Sequence, residues 1–475
     1  MKSNQRQSET YVQSTRPGGN LTSLAGTPAD VARSPAMPPF SPSPLAASLP
    51  IDRSATIRPD TARNARLRMV DAALDGAWRR GWAERPTLDP DELIAKATLK
   101  TGHPADAGES GWRERLAVLC ADLEDVATLT PLGRTIAHGQ LVAALCNRIR
   151  FQALWHRYPE IAEQPIAAPI IIVGQMRSGT TRVQRLLACD PRLTFTRFFE
   201  SWNPLPRNSA RSRFDDRKLR GWLGTLSVRL LNPAFDAIHP TRWDAADEEI
   251  GLQSVSIFGS AFEAQWRIPG YTAAVEADDG IAAYAEFRRL LQTVAWLRRD
   301  DGTRPWILKV PQFSQDLAAV LHTFPDARLV CLSRDQQQVI ASSASLVCNQ
   351  MMVQSSSVDR EWIGREWTRK VALRDRRTAS ARDRSDAPQV DLAYDDVGRD
   401  WQREISRVYR MLNMPLPESV LARMRDYVRR SRSGSHARHR YRAEDFGLAK
   451  GTAAAPSRCT VLSCGELRPC ALHPA

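Results

Sequence analysis

The side chains best suited to chemistry lie together in residues 169–181, PIIIVGQMRSGTT. A β-branched run, residues 170–173, stops at Gly174 and feeds a loop that opens into a helical pattern. Gly174 and Gly179 let the backbone turn tightly and aim its amides at an anion, and the following helix adds the positive end of its dipole. The spacing G-x-x-x-x-G is that of a nucleotide-triphosphatase phosphate loop, but Thr180 and Thr181 stand where that motif requires Lys and then Ser or Thr. Basic charge sits inside the loop instead, at Arg177, whose planar guanidinium suits bidentate contact with phosphate or sulfonyl oxygens. A purely structural glycine turn is the competing account. The arginine and the hydroxyls beside it favour phosphate binding.

A second constellation follows a buried-looking strand, RLVCL, at residues 328–332. Arg334 leaves this strand, and Ser342 lies eight residues later, about two turns into the next helix. That is the crevice where doubly wound sheets bind ligands, so a second phosphate fits there. Alone, an Arg and a Ser at this spacing are more often a helix-start salt bridge and an ordinary helix serine. Beside the first loop the pair reads as the other half of a nucleotide clamp.

Taken together these residues resemble the two phosphosulfate-binding elements of sulfotransferases that use 3'-phosphoadenosine 5'-phosphosulfate. The first element there is a strand, a P-[KR]-[ST]-G-T-T loop and a helix, and MRSGTT at residues 176–181 fits all but the proline. The second is R-D-P with a serine eight residues after the arginine; Arg334 and Ser342 reproduce it, with Gln336 in place of the proline. Residues 308–335, LKVPQFSQDLAAVLHTFPDARLVCLSRD, resemble the long K-[SA]-P block of the bacterial family 3 sulfotransferases. YDDV at Tyr394, HRYRAEDFGL at residues 439–448 and the lead-in RYPEIAEQPI are similar to family segments too. The likeness spans roughly residues 85–450.

The resemblance implies roles residue by residue. Arg177, Ser178, Gly179, Thr180 and Thr181 hold the 5'-phosphosulfate, Arg334 and Ser342 hold the 3'-phosphate, and Tyr394 approaches the adenine. Lys309, ending the strand TRPWILK, matches a family lysine that stabilises charge on the sulfuryl group; its bland reading is a strand-end surface lysine. Sulfuryl transfer also needs a group to take the acceptor's proton. Many relatives keep a histidine two residues after the lysine, but Pro311 occupies that position here. Glu200, about twenty residues after the loop among Phe198, Phe199 and Trp202, is the expected base, with a pKa raised by desolvation. An ion pair with Arg197 is the competing account for Glu200. Glu248 and Glu249 in DAADEEI, with His239 before them, are the reserve candidates, although acids there also cap helix starts.

Composition fits this reading. At 475 residues and 43% hydrophobic, the chain can bury a large core. Its net charge of +13 invites a nucleic-acid partner, but 66 basic residues are interleaved with 53 acidic ones and no zinc finger or aromatic RNA-binding element occurs, so none is expected. A polyanionic donor accounts for part of the excess, and the arginine-rich stretch 423–442 can still attract an acidic acceptor or a membrane surface. Eight cysteines without CxxC pairs read as thiols in a reducing compartment, and no metal site is expected. No transmembrane segment or signal core is visible, which leads to the expectation of a soluble cytoplasmic protein.

The expected fold is α/β, a phosphate-loop-type parallel sheet flanked by helices with an N-terminal helical extension. Residues 1–55 read as disordered, 60–165 as helices packed on the core, 166–450 as the sulfotransferase domain and 451–475 as a loose tail. Four βα units are read, starting at IIIV, WILK, RLVCL and VDLAY. The interruption between Trp202 and Asp301, with GWLGTLSVRLL and IFGSAFEAQW, is the expected pocket for the acceptor, whether a small molecule, a carbohydrate or a lipid; plain helical packing is the alternative. The expected reaction is in-line, metal-free transfer of a sulfuryl group to a hydroxyl or amine. A catalytically inactive nucleotide-binding protein is the alternative, resting on the departures at Met176, Arg182 and Gln336, and a phosphate-loop kinase stands behind it. Oligomeric state is left open.

Overall fold

The computed structural model describes residues 65–105, 111–207, 215–232, 241–433 and 441–448; the stretches 1–55 and 451–475 and most of the arginine-rich run's end lie outside them. Four helices lead in: α1 (Ala65–Arg79), α2 (Pro90–Thr101), α3 (Trp112–Asp125) and α4 (Pro131–Arg157). Their ends follow from local chemistry. The Asp89 carboxylate accepts from the amides of Asp91 and Glu92, both at 3.0 Å, and Pro90 sits in the first turn of α2, where no amide partner is needed. Gly102 ends that helix at φ +71°.

Five parallel strands form one sheet in the order β2-β3-β1-β4-β5: β1 (Ile170–Val173), β2 (Thr194–Phe195), β3 (Trp306–Leu308), β4 (Arg328–Ser333) and β5 (Gln389–Ala393). The sheet is central and covered on both faces, which alternation along β1 makes visible. Ile171 and Val173 enter a core shared with α2, α3 and α4, while Ile170 and Ile172 enter a second core with Val183, Ile405 and Met424. Four strands coincide with the expected βα units; β2, two residues long, has too little pattern to be read from sequence. Two helices complete the edge near the site, α6 (Phe198–Trp202) and α7 (Asp216–Leu231), and α5 (Thr180–Leu187) follows the phosphate loop. The stretch IFGSAFEAQW holds only the single turn Ser260–Glu263 rather than a regular helix.

Among the described residues no helix is long and apolar enough to cross a membrane. Among the described residues Cys120, Cys146, Cys331 and Cys348 are buried and Cys189 is half-buried, none of them in a disulfide. Burial pushes the thiols of Cys120 and Cys331 up to about 12, so they pack rather than react.

Candidate active site

The carboxyl ends of the strands bring the expected residues to one place. The phosphate loop follows β1, Lys309 follows β3, Arg334 follows β4, and Tyr394 opens the helix after β5. Between them lies a cleft of about 390 Å³ whose wall includes Arg177, Gly179, Thr180, Thr181, Arg334 and Tyr394. This is the end of a parallel sheet at which side chains and helix N-termini converge on a ligand.

The loop is held in a conformation that only a well-braced backbone adopts. Arg177 lies at φ +71° and Gly179 at φ +90°, left-handed values that a non-glycine residue such as Arg177 rarely takes. A Cβ on Gly179 would lie 2.8 Å from the Tyr394 ring, and one on Gly174 would lie 2.8 Å from Ser178 Oγ and 3.0 Å from the Leu332 carbonyl. The bracing comes from outside the motif. The Gly174 amide donates to Ser314 Oγ at 3.1 Å, and Gln175 Nε2 donates to the Val371 carbonyl and to Asp375 at 2.7 Å. Ser178 turns inward, its hydroxyl donating to the Gln175 carbonyl at 2.6 Å, so it shapes the loop.

The two phosphate constellations meet. Arg177 Nε donates to Ser342 Oγ at 3.0 Å, and Arg334 donates to the Arg177 carbonyl at 2.8 Å. The Arg334 guanidinium stacks 4.1 Å from the centre of the Tyr394 ring. Its Nε is buried without a hydrogen-bond partner, an unmet donor at the spot where an anionic group fits. Burial lowers the Arg177 pKa, with Arg334 beside it acting in the same direction and Tyr441 opposing. Two guanidiniums so close together favour a polyanion between them.

Lys309 is not a surface lysine. It is 1% exposed, and its Nζ donates to Thr181 Oγ1 at 3.1 Å and pairs with the Glu248 carboxylate. Glu248 lines the cleft; Glu249 beside it does not, and instead accepts from the backbone amide of Lys309 at 2.9 Å. Desolvation raises the Glu249 carboxyl to about 8, against the lowering pull of the Lys309 amide and ammonium.

Glu200 is placed differently from its expected role. Its side chain is buried under α6 and does not line the cleft. Arg298 grips both its oxygens, and the Arg197 amide donates to Oε2 at 2.9 Å, closing a capping box. Burial alone would raise its pKa; Arg298 and Arg197 more than reverse this and hold it down at about 2. The desolvated, raised-pKa carboxyl expected at Glu200 is found at Glu249. His239 lies outside the described residues. The segment between Trp202 and Asp301 does contribute cleft wall, through Trp202, Asp247, Glu248, Ile250, Ser260 and Glu263. Arg374, which pairs with Glu263 at 2.6 Å, joins the wall from the helix Arg360–Asp383; no motif in the sequence marks it.

The comparisons with known proteins agree with this geometry. Residues 169–418 match the family model described as "Sulfotransferase family". The structure is similar to that of sulfotransferase STF1 from Mycobacterium tuberculosis, with 26% identity, a TM-score of 0.67, and 77% of this chain and 97% of that one covered. It shares its fold with sulfotransferase STF9 from Mycobacterium avium, with 24% identity, a TM-score of 0.65, and 76% and 92% covered. No curated protein matches the sequence. The chain belongs to the sulfotransferase family, and its reaction is sulfuryl transfer.

Proposed function

We propose that the chain transfers the sulfuryl group of 3'-phosphoadenosine 5'-phosphosulfate to a hydroxyl or amine of an acceptor in the cleft, with Glu248 as general base. The observation that carries this reading is the position of Lys309, whose ammonium spans Thr181 of the phosphate loop and the Glu248 carboxylate. A cation there lies between the group that binds the donor and the group that takes a proton, where negative charge must move during displacement. The residues fit the donor: the loop from Arg177 to Thr181 suits its 5' end, Arg334 with its unmet Nε and Ser342 suit the 3'-phosphate, and Tyr394 suits a base. When bound, the donor supplies a sulfuryl group on a good leaving phosphate.

Glu248, open to the cleft, accepts the acceptor's proton as the oxygen or nitrogen attacks; Lys309 and Thr181 stabilise the charge that develops opposite. Phe198, Trp202 and Ile250 give the acceptor side an apolar lining suited to a small molecule, the aglycone of a carbohydrate, or a lipid. Buried thiols support a reducing, cytoplasmic setting. Calorimetric titration with 3'-phosphoadenosine 5'-phosphate, against AMP and ATP, tests the donor. Binding that needs the 3'-phosphate and weakens roughly tenfold or more in Arg334→Ala is expected, the loss of a charge-assisted hydrogen bond. Preference for ATP, or an unchanged affinity in the variant, would sink the donor assignment.

A further inference from the structure

The two arginines placed to hold the donor are tied to one carboxylate that neither motif contains. Arg177 and Arg334 each lie two residues from a glutamine, Gln175 before the first and Gln336 after the second. Gln175 Nε2 donates to one oxygen of Asp375 at 2.7 Å, and Gln336 Nε2 donates to the other at 3.3 Å. Asp375 stands on the helix Arg360–Asp383, between the helix Gln336–Gln354 and β5. A carboxylate accepts on both oxygens, so it can hold two amide donors from separate segments at a fixed separation.

That separation needs a support of its own. The register between β1 and β4 ends at Val173 and Cys331, so both arginines lie on backbone beyond the ladder. There Arg177 keeps its left-handed φ of +71°, which a non-glycine residue holds only when its surroundings impose it. Arg334 donates to the Arg177 carbonyl and Arg177 to Ser342, but those links use the guanidiniums that a donor's phosphates also call on. The Ser343 hydroxyl adds a tie to the Met176 carbonyl at 3.2 Å. The bridge through Asp375 involves neither guanidinium. Gln336 stands where the R-D-P pattern has proline, at the first residue of the helix Gln336–Gln354. Proline there fixes a φ suited to the helix and has no donor to offer. Glutamine lacks that stiffness and supplies an amide that reaches Asp375, so a local constraint is exchanged for a long-range one.

We propose that Asp375 is a positioning residue that, through Gln175 and Gln336, holds Arg177 and Arg334 at the spacing of the donor's two phosphate groups. The role rests on 3'-phosphoadenosine 5'-phosphosulfate being the donor. The test is calorimetric titration of the full chain with 3'-phosphoadenosine 5'-phosphate, beside chemical denaturation and the KM values for donor and acceptor. Asp375 is exposed, so Asp375→Ala should keep the parent's denaturation midpoint while binding the nucleotide roughly tenfold more weakly. Donor KM should rise by a similar factor with acceptor KM unchanged. Gln336→Ala should lose less, and adding it to Asp375→Ala should lose nothing further, because both act through one carboxylate. Gln336→Pro in the Asp375→Ala background should recover affinity by about threefold, since proline stiffens the same turn without the carboxylate. A general loss of stability would not give that recovery. Arg334-dependent nucleotide binding in the parent beside unchanged affinity in Asp375→Ala, additive losses in the double variant, or no recovery with proline would each overturn the positioning role and leave the donor assignment standing. A parent that does not bind the nucleotide would overturn both.

Discussion

Replacing Glu200 and Glu248 in turn by glutamine separates a carboxylate that holds the fold from one placed to serve the reaction. Glu200 is buried with Arg298 across both oxygens, and Arg298 is itself largely buried, so the glutamine leaves a guanidinium without its counter-charge. Breaking one side of a buried pair costs about 3 kcal/mol or more, which should lower the denaturation midpoint clearly. The pH dependence carries the same sign. A carboxyl held at about 2 in the folded state contributes stability that is fully present above its ordinary 4.5 and is lost as pH falls through 2. The difference between parent and Glu200→Gln should therefore shrink below pH 4. Glu248 forms its ion pair at the cleft wall, and its glutamine variant should fold and bind 3'-phosphoadenosine 5'-phosphate while losing about 100- to 10,000-fold in turnover, the span of a general base. The assay is transfer from labelled donor across a panel of alcohols, phenols, sugars and amines, normalised to folded protein. A folded but inactive Glu200→Gln beside a fully active Glu248→Gln would refute this reasoning and return the base to Glu200.

Other substitutions probe the supports of the site. Glu249→Gln should remove a pH slope: a carboxyl that keeps its proton to about 8 makes the folded state bind more protons than the unfolded one between pH 4.5 and 8, so parent stability falls as pH rises through that window, by up to ~1.4 kcal/mol per pH unit. Chemical denaturation at pH 5 and 8.5 checks it; identical slopes in parent and variant would remove the neutral carboxyl from beneath Lys309. Gly179→Ala combines a left-handed φ of +90° with a Cβ 2.8 Å from Tyr394, and should weaken donor binding roughly tenfold or more as the ring is displaced from Arg334, measured by titration. Gly133→Ala, where a Cβ would lie 1.9 Å from the Gln354 carbonyl, should separate α4 from the helix Gln336–Gln354 and cost about 1–3 kcal/mol in denaturation, with donor affinity of the remaining folded protein unchanged.

The sheet was legible because its strands are short apolar runs bounded by Gly, Pro or polar residues, and because each is followed by a helical pattern; the ends of β1, β3, β4 and β5 then follow, and with them the positions of Arg177, Lys309, Arg334 and Tyr394. The phosphate loop was legible for a different reason: glycine at a left-handed φ is a local requirement that a sequence carries on its face. Packing direction was not. GWLGTLSVRLL has the spacing of a buried helix face, and only the contact between Gly221 and Phe199 reveals that the helix turns its leucines to the outside.

The carboxylates show where sequence reasoning stops. Glu200 stands among aromatic residues at the spacing a base would have, and nothing nearby in sequence except Arg197 competes for it. Its deciding partner, Arg298, is 98 residues away, behind β2 and at the end of the helix Ile281–Arg298. Glu248 and Glu249 are adjacent in sequence and both meet Lys309, yet one reaches the ammonium at the cleft and the other the amide in the core. A side chain's solvation and its counter-charge set what a carboxylate does, and both are properties of long-range packing. Two neighbouring glutamates can therefore diverge into an ion-paired group facing the cleft and a proton-holding brace behind it, a division that hydropathy and spacing do not encode.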